Sequence, residues 1–403
     1  MANPRSTLYA VMLVSLLGTA GIALPYPVLS PFFLNPETSN ALIHYMGLPP
    51  KILLGIILAL YPLGILIGSS FIGAVSDIYG RKPILIISLL LAAAGYTLTG
   101  YAISQENYLL FALARVVTGI CEGNIAISRA IALELHPAID RTRAISLLYA
   151  TSYAGWLVGP LAGGYLAPLG VANVFLVAAA ITILATLAVQ LAIAGNTERA
   201  ITGNSLWQEI KANNSLGLLK LPDIRPLIIY HMLFTLGLNA FYEFYPLWLV
   251  ERFNFDSIQI GWGTVAITLA MILSSIYAIT PVERRYGTLG TVQRFSIVLG
   301  LLLLLLPLTG LSTLYLAFAV IGATIAVANG VFPAYMANRF EQYGHGRVQG
   351  LLTTNFCAAN VIAALAGSGI ALYGTGWSLV AGGILCICAS GWLYTRVNIP
   401  AAD

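Results

Sequence analysis

Apolar residues in this chain gather in long blocks, cut by short polar breaks. The blocks run over 7–34, 51–75, 83–104, 107–134, 142–167 and 171–195. A mixed-charge polar stretch, Gly195 to Asp223, interrupts the series. The blocks resume at 224–250, 257–282, 288–308, 312–338, 346–373 and 376–397. About 20 apolar residues cross a bilayer as a helix. Only elements that satisfy their own backbone hydrogen bonds can do so, and twelve separate blocks of this length read as twelve helices.

Composition agrees. Of 403 residues, 59% are hydrophobic and 8% charged, against about 25% charged for a soluble domain. Lipid must therefore be the solvent for most of the exterior. The net charge of +4 carries no argument for a nucleic-acid partner; what matters is where the positive charges fall. With both termini cytoplasmic, 15 of the 19 Lys and Arg lie on the inner side. Only Lys51 and Arg252 fall outside, while Arg115 and Arg129 lie within a span. The expected location is the inner (plasma) membrane. Leu206–Leu221, inside the polar stretch, could form an amphipathic helix on the membrane surface. The first apolar block is too long and proline-rich for a cleavable signal. Cys121, Cys357, Cys386 and Cys388 all sit in apolar stretches without neighbouring histidines or acids, so no metal site or cofactor is expected.

The two series repeat. Gly18 and Tyr26-Pro27 match Gly237 and Tyr245-Pro246 at an offset near 219. Tyr79-Gly80 matches Tyr286-Gly287 at 207. Arg143, Leu147-Leu148 and Ala162-Gly163 match Arg347, Leu351-Leu352 and Ala366-Gly367 at 204. The expected fold is an all-α membrane protein with twelve transmembrane helices in two six-helix pseudo-symmetric halves around a central cavity. The halves span 1–195 and 224–403, joined by a cytoplasmic linker at 196–223. Parallel repeats place a substrate site near mid-membrane.

Three motifs stand out. Gly73-Ala-Val-Ser-Asp77-Ile-Tyr-Gly80-Arg81-Lys82 joins the second and third spans as a charged turn. The fourth span opens Phe111-Ala-Leu-Ala-Arg115-Val-Val-Thr-Gly119 and closes near Glu134 and Asp140-Arg-Thr-Arg143. The fifth carries Gly155-Trp-Leu-Val-Gly159-Pro160-Leu-Ala-Gly163-Gly164, a groove of glycines four apart with a helix-bending proline. Together they resemble the signatures of the major facilitator superfamily: G-x-x-x-D-x-x-G-R-[KR], R-x-x-x-G, and the G-x-x-x-G-P-x-x-G-G of its antiporter branch, especially the tetracycline and multidrug exporters. One family glycine, nine residues before Gly155, is Ser146 here. The resemblance implies a secondary transporter whose small-molecule substrate exchanges against protons by alternating access. It also implies that Gly73, Asp77, Gly80, Arg81, Lys82 and Glu134 latch one conformation. A monomer without an enzymatic activity is expected.

Charges inside the spans depart from the family pattern. Arg115, Glu122 and Arg129 are seven apart, so on a continuous helix they share one face. Each costs about 2.5–3.5 kcal/mol at mid-membrane on insertion scales, so the face should line protein or water. Glu122 and Glu243 are the candidates for proton coupling. Candidates for the substrate are Arg115, Arg129, Asn124, Tyr26, Asn239, Tyr242 and Asn355. A packing network of Arg and Glu alone is the competing reading of the fourth span, and His231 reads as a hydrogen-bonded helix residue. Export of a small polar or amphipathic organic molecule is expected. Uptake of a zwitterionic or anionic metabolite, such as an amino acid, is the alternative. A sensor or enzyme that transports nothing is remote. No nucleotide-binding motif is present, so ATP is not expected to drive the cycle.

Overall fold

The computed structural model of the chain describes residues 4–34, 41–69, 72–122, 124–139, 141–193 and 215–397. Every expected span is helical there, several of them in two pieces. The first is α1 (Pro4–Ala23) and α2 (Tyr26–Leu34). The second is α3 (Pro50–Ser69), followed by the short α4 (Ile72–Tyr79). Then come α5 (Arg81–Ser104), α6 (Tyr108–Cys121) with α7 (Asn124–Glu134), α8 (Arg141–Leu166) and α9 (Val171–Ala192). The remainder is α10 (Arg225–Phe253), α11 (Ser257–Tyr277), the short α12 (Ile279–Tyr286), α13 (Thr288–Leu305), α14 (Leu311–Arg339), α15 (His345–Ala371) and α16 (Thr375–Arg396).

Among the described residues, ten segments are long and apolar enough to cross a membrane. The fourth and fifth spans complete the twelve. The fourth is divided between the 14-residue α6 and the 11-residue α7. The fifth, α8, has 26 residues, about 39 Å of helix at 1.5 Å per residue, with serines, threonines and glycines diluting its hydropathy. Residues 196–214 of the expected linker, and most of its expected amphipathic helix, lie outside the described residues. The described end, Ser215–Lys220, is a short 3-10 turn.

Local chemistry sets the breaks. Pro25 has no N–H to continue the ladder; Leu24 donates to Ala20 and the next bond, Val28 to Pro25, closes a tighter turn. Asn107 caps α6, its Oδ1 accepting the Leu110 N–H at 3.0 Å. The eight-residue α4 and α12 both end on a glycine with positive φ, 100° at Gly80 and 66° at Gly287. That conformation lets the chain reverse into the next span without a Cβ clash.

Contacts divide the chain into two units: Met1–Leu53 with Leu60–Ala212 and Asp256–Gly261, and Leu54–Ala59 with Asn213–Phe255 and Trp262–Asp403. Inside the first, α1 packs on α8 and α9, and α5 on α6 and α9. Inside the second, α10 packs on α15 and α16, and α13 on α14 and α16. These are the same pairs of spans, displaced by six. Val11, Leu85, Ile127, Ala144 and Val189, all 1% exposed or less, tie α1, α5, α7, α8 and α9 together. Outward rows such as Ile87, Leu90 and Leu91 on α5, or Leu184, Leu187 and Leu191 on α9, stay 44% exposed or more. Apolar rows this open belong against lipid.

Candidate functional site

The first unit buries an acid among aromatic rings and an arginine. Glu122 is only 4% exposed. It accepts a hydrogen bond from the Tyr96 hydroxyl at 3.0 Å, across from α6 to α5. Arg115, 7% exposed, sets its guanidinium 4.2 Å from the centre of the Tyr61 ring on α3 and 5.9 Å from that of Phe175 on α9. Such a stack favours the cation where water is excluded. Arg115 is also close enough to act electrostatically on Glu122 and on both tyrosines. Four spans thus converge on a single carboxyl group.

The continuous-helix premise behind the Arg115–Glu122–Arg129 face does not hold. Helix α6 ends at Cys121, and Glu122 is its C-cap, with ψ near 2° and its N–H shared between the Thr118 and Gly119 carbonyls. Helix α7 restarts at Asn124, so the seven-residue spacing to Arg129 is not a rotation about one axis. Arg129 is half-buried on α7, whereas Arg115 and Glu122 are both buried. The Asn124 side chain lies outside the described residues. Tyr61 and Tyr96 escaped the sequence reading because an aromatic in an apolar span looks like packing; no spacing marks a partner on another helix.

The second unit carries a polar seam between α10 and α15. His231, Asn239 and Glu243, eight and four residues apart, fall on one face of α10. Asn355 Nδ2 lies 2.6 Å from His231 Nδ1, and His231 stacks on Phe332 at 5.3 Å. Asn360 Nδ2 donates to Glu243 Oε1 at 3.0 Å and to Asn239 Oδ1 at 3.3 Å. Asn239 in turn donates to the Phe356 carbonyl at 3.4 Å. The structure thus brings Asn239, Glu243 and Asn355 into one buried row. Tyr242 points elsewhere, its hydroxyl 3.6 Å from the Met271 sulfur on α11. Tyr26, in the first unit, is half-buried and meets Trp156 edge to face at 5.9 Å.

At the α4–α5 turn, Arg81 pairs with Glu134 at 3.0 Å and donates to Ser76 Oγ at 2.8 Å. Lys82 donates to the Gln190 and Ile193 carbonyls at 3.0 and 2.5 Å. It therefore satisfies the carbonyl end of α9, a partner that the sequence reading, which placed Lys82 only in the latch, did not identify. The surroundings of Gly73 and the Asp77 side chain lie outside the described residues. The groove of α8 receives α1: a Cβ on Gly155 would meet Leu16 and Thr19, one on Gly159 Ala20 and Ala23, and one on Gly163 the Leu24 carbonyl. Pro160 lies within α8 without ending it. Gly164 faces the Ser257–Ile258 backbone, part of the same unit.

A sequence model of the Major Facilitator Superfamily matches residues 8–364. The chain is 25% identical over 359 residues to the class H tetracycline resistance protein of Pasteurella multocida, covering 87% of this chain and 85% of that one. In fold it is similar to the crystal structure of a D-xylose–proton symporter, with TM-score 0.75, 17% identity and 98% of each chain covered. It is likewise similar to that of the human organic anion transporter MFSD10, with TM-score 0.70, 19% identity, and 98% and 100% covered. Among the described residues no group of histidines, cysteines and acids could hold a metal ion.

Proposed function

The chain belongs to the Major Facilitator Superfamily, and from that premise we propose that this multi-pass membrane transporter exports a small polar or amphipathic organic molecule in exchange for protons. Its two six-helix halves, 1–195 and 224–403, would alternate the access of a substrate site from one side of the membrane to the other, with both termini in the cytoplasm. The observation that carries proton coupling is the buried Glu122–Tyr96 bond beside Arg115. An acid held by one neutral donor beside a positive charge has two forms open to it: ionised against Arg115, or protonated while still accepting from the tyrosine. Loss or gain of that proton can be tied to which side the unit faces.

The tetracycline resistance protein's name and the α8 signature support export. Tetracycline is therefore the first compound to try, followed by a panel of amphipathic cations and zwitterions. The polar row Asn239, Glu243, Asn355 supplies neutral donors and acceptors for a ligand, with Glu243 as the second coupling candidate. The mixed Arg115 and Glu122 cluster also favours a second reading, uptake of a zwitterionic or anionic metabolite, because such a ligand could use both charges.

The test is made in everted vesicles and in proteoliposomes. A pH gradient should drive accumulation of the transported compound and collapse as it does so. Glu122→Gln should abolish gradient-driven accumulation yet keep exchange of labelled for unlabelled compound, because exchange needs no net protonation change. Glu243→Gln should reduce accumulation less. Accumulation retained in Glu122→Gln passes the carrier role to Glu243. Loss of binding and exchange together makes Glu122 a ligand or packing residue, and strengthens the uptake reading.

A further inference from the structure

A lateral cleft of about 400 Å³ opens in the second unit between α11, α13 and α14. Its walls are apolar, with Leu273, Phe295, Val320 and Val327 around a floor of small residues that includes Ala323. Leu273 and Val320 remain 49% and 41% exposed, so the cleft opens on the flank of the unit and not into its core. One end is marked by charge. Ala278, which lines the cleft, caps α12, and α12 carries Arg284 and Arg285. Phe295 follows directly on Arg294, whose guanidinium lies 4.3 Å from the Tyr286 ring centre on α12. Arg285 reaches the same ring at 5.3 Å. Arg294 therefore runs back along α13 toward the end of α12, its Nη1 3.1 Å from where a Cβ on Gly290 would sit. All three arginines are exposed, and among the described residues no carboxylate pairs with them.

We propose that this cleft is a binding site for one anionic phospholipid: an acyl chain lies in the apolar channel, and the phosphate and acidic headgroup meet Arg284, Arg285 and Arg294. The occupant follows from the two ends together. An acyl chain that leaves the bilayer for the cleft gains no hydrophobic free energy, since it was already in hydrocarbon. Chain burial alone would then give no preference among lipids. What distinguishes one lipid from another is the headgroup, and a cluster of unpaired arginines beside a helix-lined pocket selects for negative charge. Aromatic stacking on Tyr286 holds Arg285 and Arg294 in place and leaves their outer N–H groups for phosphate oxygens, with Arg284 next to them in the chain. The cleft shares no lining residue with either polar cluster described above.

The test uses purified full-length protein in detergent with fluorescently tagged dioleoylphosphatidylglycerol. Untagged phosphatidylglycerol should displace the tag at least fivefold better than phosphatidylcholine. The Arg284→Gln/Arg294→Gln pair, at exposed positions, should bring that preference below twofold. Ala323→Phe, which fills the channel, should remove tag binding. Raised salt should weaken the preference of the unmutated protein, a control that needs no variant to fold. Equal displacement by the two lipids overturns the proposal, as does an unchanged preference in the arginine pair. Undiminished binding in Ala323→Phe overturns the seat for the chain. Should tetracycline displace the tag as well as phosphatidylglycerol does, the cleft receives the transported class of compound and the lipid reading falls.

Discussion

A carboxyl group inside a bilayer must be held by something, and the two deep acids here are held by neutral donors. Tyr96 serves Glu122 and Asn360 serves Glu243. A buried acceptor left without its donor costs about 1–3 kcal/mol. Tyr96→Phe should therefore lower the melting temperature of the purified protein by several degrees. The Tyr96→Phe/Glu122→Gln double variant should lose less than the two single losses summed, because both remove the same bond. A double loss that is simply additive would show that the bond does not couple the two residues. The acids themselves were legible, because a charge in an apolar block is conspicuous. Their partners were not: Tyr96 and Asn360 lie 26 and 117 positions from the acids they bond, Tyr61 lies 54 from the arginine it stacks on, and nothing local in the chain signals the meeting. The pairing of Lys82 with the end of α9 was hidden for the same reason.

At the scale of the element, hydropathy located every span to within a few residues but could not see where a span breaks. The apolar pattern runs through Glu122 without a proline, so the fourth span read as one helix, although the chain restarts at Asn124. At Pro25 the break does have a local signature, the missing N–H. The glycines of α8 were legible as a groove, and the structure gives that groove an occupant, α1. This separates glycines that pack from glycines that do not. A side chain on Gly159 would press on the Ala20 carbonyl at 2.7 Å and the Ala23 side chain at 3.0 Å, whereas one on Gly18 meets nothing within 4 Å. Gly159→Leu should cost about 1–3 kcal/mol or more through overpacking, read as loss of monodisperse protein after extraction. Gly18→Ala should extract and melt like the unmutated protein, and any gain from its higher helix propensity should be small. Equal damage from both would mean that α1 and α8 do not meet as described. The result also bears on the matched pair Gly18 and Gly237: Gly237 packs on Gly382 and Cys386, so the two glycines occupy equivalent places without sharing a cause.

For the whole molecule, repetition and charge are the two statements a sequence makes without knowing any contact. The offsets of 207 and 204 recur in the structure as whole elements: α4 and α12 each run eight residues into a positive-φ glycine, and α9 and α16 each run 22 residues from a glycine N-cap. Charge gives orientation by a different argument, the cost of moving Lys and Arg across the bilayer. It places the ends of α4 and α12 on the side that holds most of the Lys and Arg, and the α13–α14 turn on the other. Both kinds of position are accessible: Tyr79 is 59% and Leu308 79% exposed, and Pro281 on α12 is exposed too. On a background with Cys121, Cys357, Cys386 and Cys388 replaced, Tyr79→Cys and Pro281→Cys should react with a membrane-impermeant maleimide only from the cytoplasmic face. Leu308→Cys should react only from outside. Since α4 and α12 occupy equivalent places in a parallel repeat, their labels must agree with each other whatever the absolute orientation. Opposite sidedness at Tyr79 and Pro281 would contradict an even number of spans between them. Agreement on the outer face would keep the fold, reverse the orientation, and leave the positive charges unexplained.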